Sequence, residues 1–527
     1  MAQKTRAVTL EEIPGIIQKY AKGAYDAKRA GFDGVQIHAV HEGYLLDQFA
    51  IALFNNRTDA YGGSLENRLR FAKEIVEEIK SRCGQDFPVT MRYSPKSMMK
   101  DWRVGALPGE EFQEVGRDLD EGVQAAKLLV EYGYDALDVD VGTYDAWWWN
   151  HPPMYQEKGL YRKYAKLMKE TVDVPILMAG RMDNPEMASA CIADGTCDII
   201  SLGRPLLADP EYVNKLRANQ YDRVRPCLSC HEGCMGRIQE YSALNCAVNP
   251  QACRERDMAY QPICRPKKVL IVGGGVAGCE AARVLAIRGH EPHLFEAGSQ
   301  LGGNLIPGGV PDFKEDDHAL AAWYARELEG LSVPVTLNHK VTASEAMSGG
   351  YDAVIVATGS TPKVFSLGDD ARVHTAADVL TGKADCGSKV VIVGGGLVGC
   401  ETALWLAQQG KQVTIVEALD KLLAVNGPLC HANSEMLEAL IPFHQVQVVT
   451  NAKVQRFENG VLTAQMPEGV HTLEADDVVL CVGYKEEDSL YKELEFSVSE
   501  IYCLGDARKV ANIMYAIWDA FEVANHL

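Results

Sequence analysis

Residues 269–296 read VLIVGGGVAGCEAARVLAIRGHEPHLFE, and residues 390–417 repeat the pattern as VVIVGGGLVGCETALWLAQQGKQVTIVE. Each copy begins with an apolar run, passes through a glycine-rich turn into a helical stretch, and ends in a second apolar run. A strand that enters a helix through such a turn is typical of a dinucleotide-binding unit with a parallel sheet. The repeat therefore predicts an α/β protein with two Rossmann-type domains in its second half.

Each repeat carries three glycines spaced G-x-G-x-x-G and an acid at the end of its second strand. The glycines are Gly273, Gly275, Gly278, Gly394, Gly396 and Gly399, and the acids are Glu296 and Glu417. The glycines let the backbone approach a pyrophosphate at the helix N-terminus, and the acid accepts a hydrogen bond from a ribose hydroxyl. An acid after the second motif favours NADH over NADPH.

The composition limits the classes of function. The chain has 527 residues, an apolar fraction of 47% and a net charge of −20. Its length predicts roughly three domains, and its acidity argues against nucleic-acid or anionic membrane partners. We expect no signal peptide and no membrane span. The fifteen cysteines lack paired spacing outside one cluster, which favours a reduced, cytoplasmic protein.

Residues 20–210 alternate apolar strand-like runs with amphipathic helical stretches. The runs are GVQIHA at 34–39, VTMRYS at 89–94, ALDVDVG at 136–142, ILMAG at 176–180 and IISLG at 199–203. This alternation predicts a parallel sheet, whose carboxyl edge is the active face in a β/α barrel. Five such units are visible where a closed barrel needs eight, so we expect a partial TIM barrel or an open sheet.

Four cysteines lie between the two halves with the spacing C-x2-C-x3-C-x11-C. They are Cys227, Cys230, Cys234 and Cys246. Four thiolates suit either tetrahedral zinc or a [4Fe–4S] cluster. Zinc sites usually show two C-x2–4-C pairs, whereas here three cysteines are close together and the fourth is distant. Their position between two cofactor-binding halves favours iron–sulfur.

The order of segments in the second half resembles the flavin reductases related to glutathione reductase. ATGS at 357–360 closes an apolar run, the second glycine motif follows, and Gly505 and Asp506 come near the end. In those proteins an NAD domain is inserted into a split FAD domain. The resemblance implies FAD on the first motif, with Asp506 at its ribityl chain, and NAD(H) on the second.

The segment HAVHEGYLLDQFAIALFNNRTDAYGGSLENRLRF at 38–71 resembles the old yellow enzyme family. The similar branch holds 2-enoate reductase, 2,4-dienoyl-CoA reductase and trimethylamine dehydrogenase. Those proteins join an FMN-bearing barrel, a [4Fe–4S] site with this cysteine spacing and an FAD/NAD half. The resemblance covers the chain from residue 8 onward.

The resemblance also implies roles for individual residues. Tyr44 matches the proton donor to the substrate α-carbon, and His38 and His41 match the pair that binds the substrate carbonyl oxygen, without showing which takes which role. Arg92 matches a cation beside the flavin. The FMN phosphate would lie on Gly180, Arg181, Gly203 and Arg204. In addition, at least one of the tryptophans at 147–149 is expected to line the substrate pocket.

The resemblance predicts four segments. They are an FMN-binding barrel at 1–215, a [4Fe–4S] segment with a linker at 216–266, a split FAD domain at 267–386 and 483–527, and an NAD(H) domain at 387–482. Three further barrel strands precede the segment matching 34–39 in that family. We therefore expect the N-terminal third of the barrel to be absent, with exposed edge strands in the remainder.

The function implied is an NADH-dependent ene-reductase. Electrons would pass from NADH to FAD, to the cluster, to FMN and to the C=C bond of an α,β-unsaturated acid, thioester or enone. One alternative is an oxidative dehydrogenase or desaturase of a steroid or bile-acid 3-oxo compound or an amine. Another is a truncated remnant with FAD/NAD diaphorase activity only. The expected partner is a small molecule, and a homo-oligomer is compatible with the sequence.

Overall fold

The chain forms two compact units. The computed structural model describes residues 6–368 and 370–527. The first unit comprises Met1–Pro152 and Gln156–Gly203, and the second comprises Pro153–Tyr155 and Arg204–Leu527. Among the described residues, no helix is long and apolar enough to cross a membrane.

The first unit contains a parallel sheet whose strands neighbour one another in chain order. Its strands are Val35–Val40, Val89–Tyr93, Ala136–Val139, Ile176–Met178 and Ile199–Ile200. Every residue of the central strand at 136–139 is buried, as expected for a parallel sheet covered on both faces. The predicted parallel sheet is confirmed, and each predicted run overlaps one observed strand. A separate hairpin pairs Met99–Asp101 with Val104–Gly105.

Helices of the first unit begin at residues suited to cap them. Ser64, Asp118 and Asn184 each accept a hydrogen bond from the backbone amide three residues later, which satisfies a free N–H of the first turn. The helices are Ile13–Arg29, Leu45–Ala50, Leu65–Cys83, Leu119–Glu131, Trp147–Asn150, Arg162–Thr171 and Pro185–Ala193, with a 3-10 turn at Tyr144–Ala146.

The second unit contains two five-stranded parallel sheets. The first has the order Val335–Thr336, Glu291–Phe295, Lys268–Val272, Ala353–Val356, Ile501–Cys503, and the second has the order Val373–Thr375, Asp477–Leu480, Lys389–Val393, Gln412–Val416, Gln447–Val449. The strand at 501–503 pairs with Ala353–Val356 in the first sheet. The strand at 373–375 pairs in the second sheet, although it precedes the predicted boundary at 387.

The other strands of the second unit are antiparallel. They form a three-stranded sheet from Lys453–Glu458, Val461–Met466 and Gly469–Glu474, and a pair from Ser360–Pro362 and Tyr484–Glu486. The α-helices are Arg204–Ala208, Tyr212–Arg217, Met235–Gln239, Val276–Arg288, Leu305–Gly308, Glu315–Gly330, Ala343–Ser348, Ala376–Leu380, Leu397–Gln408, His431–Phe443, Ser489–Leu494 and Ile513–His526. Short 3-10 turns lie at Tyr221–Arg223, Asp312–Lys314, Asp370–Arg372 and Gly505–Ala507.

The last glycine of each G-x-G-x-x-G motif lies against the first. A Cβ atom on Gly278 would stand 1.9 Å from the Gly273 carbonyl oxygen, and a Cβ on Gly399 would stand 1.9 Å from the Gly394 carbonyl oxygen. Such an approach between strand end and helix excludes any side chain. The two sequence repeats therefore also pack their strand ends and helices in the same way.

A fully buried ion pair supports the loop after the first strand. The Arg117 guanidinium lies 2.6 Å from Asp47 Oδ1, and neither side chain is exposed to solvent. The other oxygen of Asp47 accepts a hydrogen bond of 2.9 Å from the amide of Gly43. The pair thus links the sheet region to the segment that carries Tyr44.

We predict that Asp47→Ala destabilises the first unit because it leaves the Arg117 charge buried and unpaired. The expected loss is about 3–5 kcal/mol, or about 10 °C in the midpoint of the first thermal unfolding transition. The control is Asp26→Ala, which removes an exposed pair with Lys22 and should cost under about 1 kcal/mol. Equal midpoints for the two variants would contradict the prediction.

Candidate functional site

His38, His41 and Tyr44 lie together at the carboxyl edge of the first unit's sheet. The ring centroids of His38 lie 4.7 Å from His41 and 4.9 Å from Tyr44. His38 is on the first strand, and the chain then turns through Glu42, which adopts a positive φ of 59°. The structure therefore brings together the three residues predicted to be catalytic.

Acidic groups hold His41 on both sides. Its Nδ1 atom lies 2.8 Å from Asp140, and its Nε2 atom lies 3.1 Å from Glu42. Burial lowers the pKa of His41, but the negative charge of Asp140 and the hydrogen bonds that His41 donates to Asp140 and Glu42 outweigh it and raise the pKa to about 9. His41 is therefore a cation at neutral pH, with both ring nitrogens engaged.

His38 has the opposite character. Burial and the positive charges of His41 and Arg92 lower the pKa of His38 below its ordinary value, so its ring is neutral at pH 7. The residue is exposed, while His41 is 2% exposed. Of the two histidines, His38 is thus the one with a ring accessible to a substrate.

An aromatic face continues from Tyr44. The ring of Tyr144 packs edge-on against Tyr44 at 5.4 Å, and Trp147 follows at 6.0 Å from Tyr144. Trp148 and Trp149 are buried, and both indole N–H groups donate to the Ala106 carbonyl, at 3.0 and 2.7 Å. Of the three adjacent tryptophans, Trp147 is therefore the one on this face.

Arg92 is the cation predicted to lie beside the flavin. Its guanidinium lies 2.9 Å from Asp138 and 2.9 Å from Asp140, and these carboxylates raise the pKa of Arg92 against the effect of burial. About a fifth of the side chain stays exposed. Arg92 is thus a fixed charge that shares Asp140 with His41.

The four residues predicted to hold the FMN phosphate fall into both units. Gly180 and Arg181 have positive φ values of 94° and 53°, and Arg181 donates a hydrogen bond to the Gln156 carbonyl. Gly203 has open space where a side chain would be. Arg204 belongs to the second unit, where it donates to Nε2 of His231 at 2.8 Å.

A cavity of about 460 Å³ in the second unit is lined by most of the residues predicted to bind FAD. Gly273, Gly275, Glu296 and Asp506 all face it. Its size falls in the range of small-molecule sites. A Cβ atom on Gly275 would meet nothing within 4 Å, so open space lies beside the first turn of the helix. These residues fit a bound dinucleotide.

The two glutamates predicted to accept hydrogen bonds from ribose hydroxyls accept hydrogen bonds from the backbone at the glycine-rich turns. Glu296 accepts from the amides of Gly274 and Gly298, and Glu417 accepts from the amides of Gly395 and Leu419. Each carboxylate thus stands at the turn of its own repeat. Glu417 is buried, at 7% exposure.

The sequence did not reveal a buried charge cluster on the same cavity. Lys314 Nζ lies 3.3 Å from Glu401 and 3.6 Å from Asp317, and the Tyr155 hydroxyl donates to Glu401 at 2.9 Å. These acids raise the pKa of Lys314 despite its burial. The only sequence signal was Glu401, an acid two residues after Gly399 in an otherwise apolar helix.

The cysteine quartet surrounds one small cavity together with His231 and Arg204. All four cysteines line it. Burial raises the pKa of Cys246 to about 11 and raises the pKa of Cys234, so the thiols need a bound cation to ionise. Among the described residues, no three of these sulfur atoms lie within 4.8 Å of one another. Tetrahedral zinc would hold them about 3.8 Å apart, given Zn–S bonds of about 2.3 Å.

Comparison with protein families assigns both halves. Residues 1–223 match the NADH:flavin oxidoreductase / NADH oxidase family, and residues 267–519 match the pyridine nucleotide-disulphide oxidoreductases. A cinnamate reductase of Clostridium sporogenes is 55% identical over 524 residues, which cover 99% of this chain and 78% of that protein. The chain belongs to the NADH:flavin oxidoreductase / NADH oxidase family. The family match starts at residue 1 and gives no support to an absent N-terminal third.

Two further comparisons agree with this assignment. An NADH oxidase of Thermoanaerobacter brockii is 36% identical over 99% of this chain and 79% of its own length. The structure of a 2-naphthoyl-CoA reductase complex superposes with a TM-score of 0.90 at 28% identity, covering 99% of this chain and 77% of that one. The chain is thus an NADH-dependent flavin oxidoreductase, and its two matched families imply FMN, FAD and NADH as cofactors.

We predict that Gly275→Ala lowers FAD affinity and leaves the fold intact, because the added methyl enters open space beside the helix N-terminus. Affinity should fall at least about tenfold, or about 1.4 kcal/mol, in a titration of flavin-free protein. Gly23→Ala is the control, since that glycine also has nothing within 4 Å but lies in a helix of the first unit. Equal FAD affinity in both variants would contradict the assignment.

Proposed function

We propose that this enzyme reduces aryl-substituted 2-enoates, of which cinnamate is the simplest. The observation that carries the proposal is the site formed by Tyr44 and His38 beside an aromatic face of Tyr144 and Trp147. An aryl ring stacks well against such a face. The relative at 55% identity is a cinnamate reductase, which supports the same substrate class.

His38, Tyr44 and His41 would have different roles at the substrate. His38 would donate a hydrogen bond to the carboxyl oxygen, where negative charge grows as the β-carbon is reduced. Tyr44 would give its phenolic proton to the α-carbon. His41, fixed as a cation between Asp140 and Glu42, would add positive charge near that oxygen and hold the loop in place.

The cofactor sites follow the residues described above. FMN would be held by Arg92, Gly180, Arg181, Gly203 and Arg204 in a partial barrel, FAD by the first glycine motif with Glu296 and Asp506, and NADH by the second motif with Glu417. When bound, these groups supply hydride and single-electron transfer from NADH to the substrate.

The quartet would hold the [4Fe–4S] cluster. Four thiols that line one small cavity provide the donor set. Three closely spaced cysteines and a distant fourth suit a cubane with one corner on each of Cys227, Cys230, Cys234 and Cys246 better than the paired spacing of zinc sites.

We propose domain boundaries at 215, 266 and 482 and place the start of the NAD(H) domain before Val373 rather than at 387, because Val373–Thr375 pairs in the second sheet. NADH is proposed as the preferred nucleotide, and a homo-oligomer is compatible with the chain. A cytoplasmic location is supported by buried cysteines without a disulfide, among them Cys83, Cys191 and Cys279.

We predict that Tyr44→Phe abolishes proton donation without affecting the NADH side. Anaerobic turnover of cinnamate should fall about 10²–10⁴-fold, while NADH oxidation by an artificial acceptor persists. Tyr25→Phe, at an exposed tyrosine of the first helix, is the control. If Tyr44→Phe turned over cinnamate at the wild-type rate, Tyr44 would have no part in the mechanism.

We predict about four iron atoms per chain in anaerobically purified protein, together with FMN and FAD. Cys230→Ser should lose most of the iron because one corner ligand is gone. Cys253→Ser should retain it, since Cys253 is exposed and lies outside the quartet. One zinc per chain in place of iron would show that the cluster assignment is wrong.

A further inference from the structure

The turn that follows Cys230 is bonded to a side chain from a distant helix. His231 lies in this turn and is 1% exposed, and its Nδ1 atom lies 2.6 Å from Oδ1 of Asn433. Asn433 is a buried residue of the helix His431–Phe443, and its Nδ2 atom donates a hydrogen bond of 3.4 Å to the Ser229 carbonyl. One side-chain amide therefore contacts the chain on both sides of Cys230.

The direction of each hydrogen bond follows from the groups present. A guanidinium only donates, so Nε2 of His231 accepts from Arg204 at 2.8 Å and the ring proton is on Nδ1. Nδ1 then donates to Oδ1 of Asn433, which leaves the amide nitrogen of Asn433 to donate to the Ser229 carbonyl. Each bond has one donor and one acceptor, so the four residues fix one another's orientation.

The backbone of the turn needs this support. Ser229 and His231 have positive φ values of 50° and 59°. Residues other than glycine rarely adopt this conformation, and it persists only where the surroundings hold it. A second contact holds the same segment, since the amide of His431 donates to Oε1 of Gln239 at 3.2 Å. The helix that carries Asn433 thus anchors the quartet segment at two points.

Asn433 also lies at the cavity proposed to bind FAD. Asn433 and Cys230 both line that cavity, whereas His231 and Arg204 line the small cavity of the quartet. Cys230 lines both cavities. The hydrogen bond from His231 to Asn433 therefore joins a residue of one cavity to a residue of the other, next to the cysteine that they share.

We propose that Asn433 is a positioning residue for the iron–sulfur cluster. It holds the turn after Cys230 through His231, so that the thiols of Cys230 and Cys234 keep the positions that a cluster requires. The inference rests on the proposed function, in which the quartet holds a [4Fe–4S] cluster. Asn433 is not itself a ligand. Loss of a residue that orients metal ligands typically lowers metal affinity about 10–100-fold.

The test is iron release from anaerobically purified holoenzyme in the presence of an iron chelator. Asn433→Leu keeps the size of the side chain and removes both hydrogen bonds, so iron should be lost at least about tenfold faster than from the wild type. Asn433→Asp keeps the oxygen that accepts from His231 and should release iron more slowly than Asn433→Leu. The electron paramagnetic resonance spectrum of the reduced cluster should also change in Asn433→Leu.

Asn525→Leu is the matched control. Asn525 is 1% exposed, accepts from the Gln261 amide at 3.1 Å and donates to the Ala259 carbonyl at 3.0 Å, all beyond Cys246 in the chain. The control should lose thermal stability but keep the iron and the spectrum of the wild type. Equal iron release from the two leucine variants, or a wild-type rate and spectrum in Asn433→Leu, would overturn the inference. If the wild type holds no iron, the cluster assignment fails and this inference fails with it.

Discussion

Asp140 is a fully buried carboxylate on which the arrangement of the first unit's site depends. It follows the central strand, pairs with His41 and Arg92, and accepts a hydrogen bond from Ser94. These contacts lower the pKa of Asp140 to about 2 although burial alone would raise it. A buried charge without such partners would cost several kcal/mol. One anion therefore orients two cations at the edge where the proposed substrate lies.

The second unit depends on a different constraint, which is steric. Both glycine motifs place a helix against the end of a strand so closely that a Cβ atom would overlap a carbonyl oxygen. This approach brings the helix N-terminus to the cavity that Gly275 and Asp506 line. The cavity also reaches Cys230, so a dinucleotide bound there would end near the cysteine quartet. A dinucleotide bound in this cavity and a group held by the quartet would therefore be joined by a short path for electrons.

Some of the site was predictable because the signal was local. The first glycine motif contributes Gly273 and Gly275 to one cavity of the structure, and the four spaced cysteines line another. His38, His41 and Tyr44 of the segment 38–44 lie close together in space. Other partners lie far apart in the chain. Glu401 meets Tyr155, and Arg204 meets His231, through packing that no short motif records.

The sequence by itself determined the α/β class and the paired dinucleotide motifs, because these follow from short-range periodicity and from glycines that only one backbone geometry requires. The candidate donors His38, His41 and Tyr44 came from the resemblance of the segment 38–71 to a known family. The tertiary structure decided which of the two histidines, His38 or His41, has a ring that a substrate can reach. His41 and His38 are three residues apart, yet Asp140 and Glu42 raise the pKa of His41, whereas burial and the positive charges of His41 and Arg92 lower the pKa of His38. The tertiary structure also placed the ring of Tyr144 against that of Tyr44, since a contact between residues a hundred positions apart depends on the folded backbone.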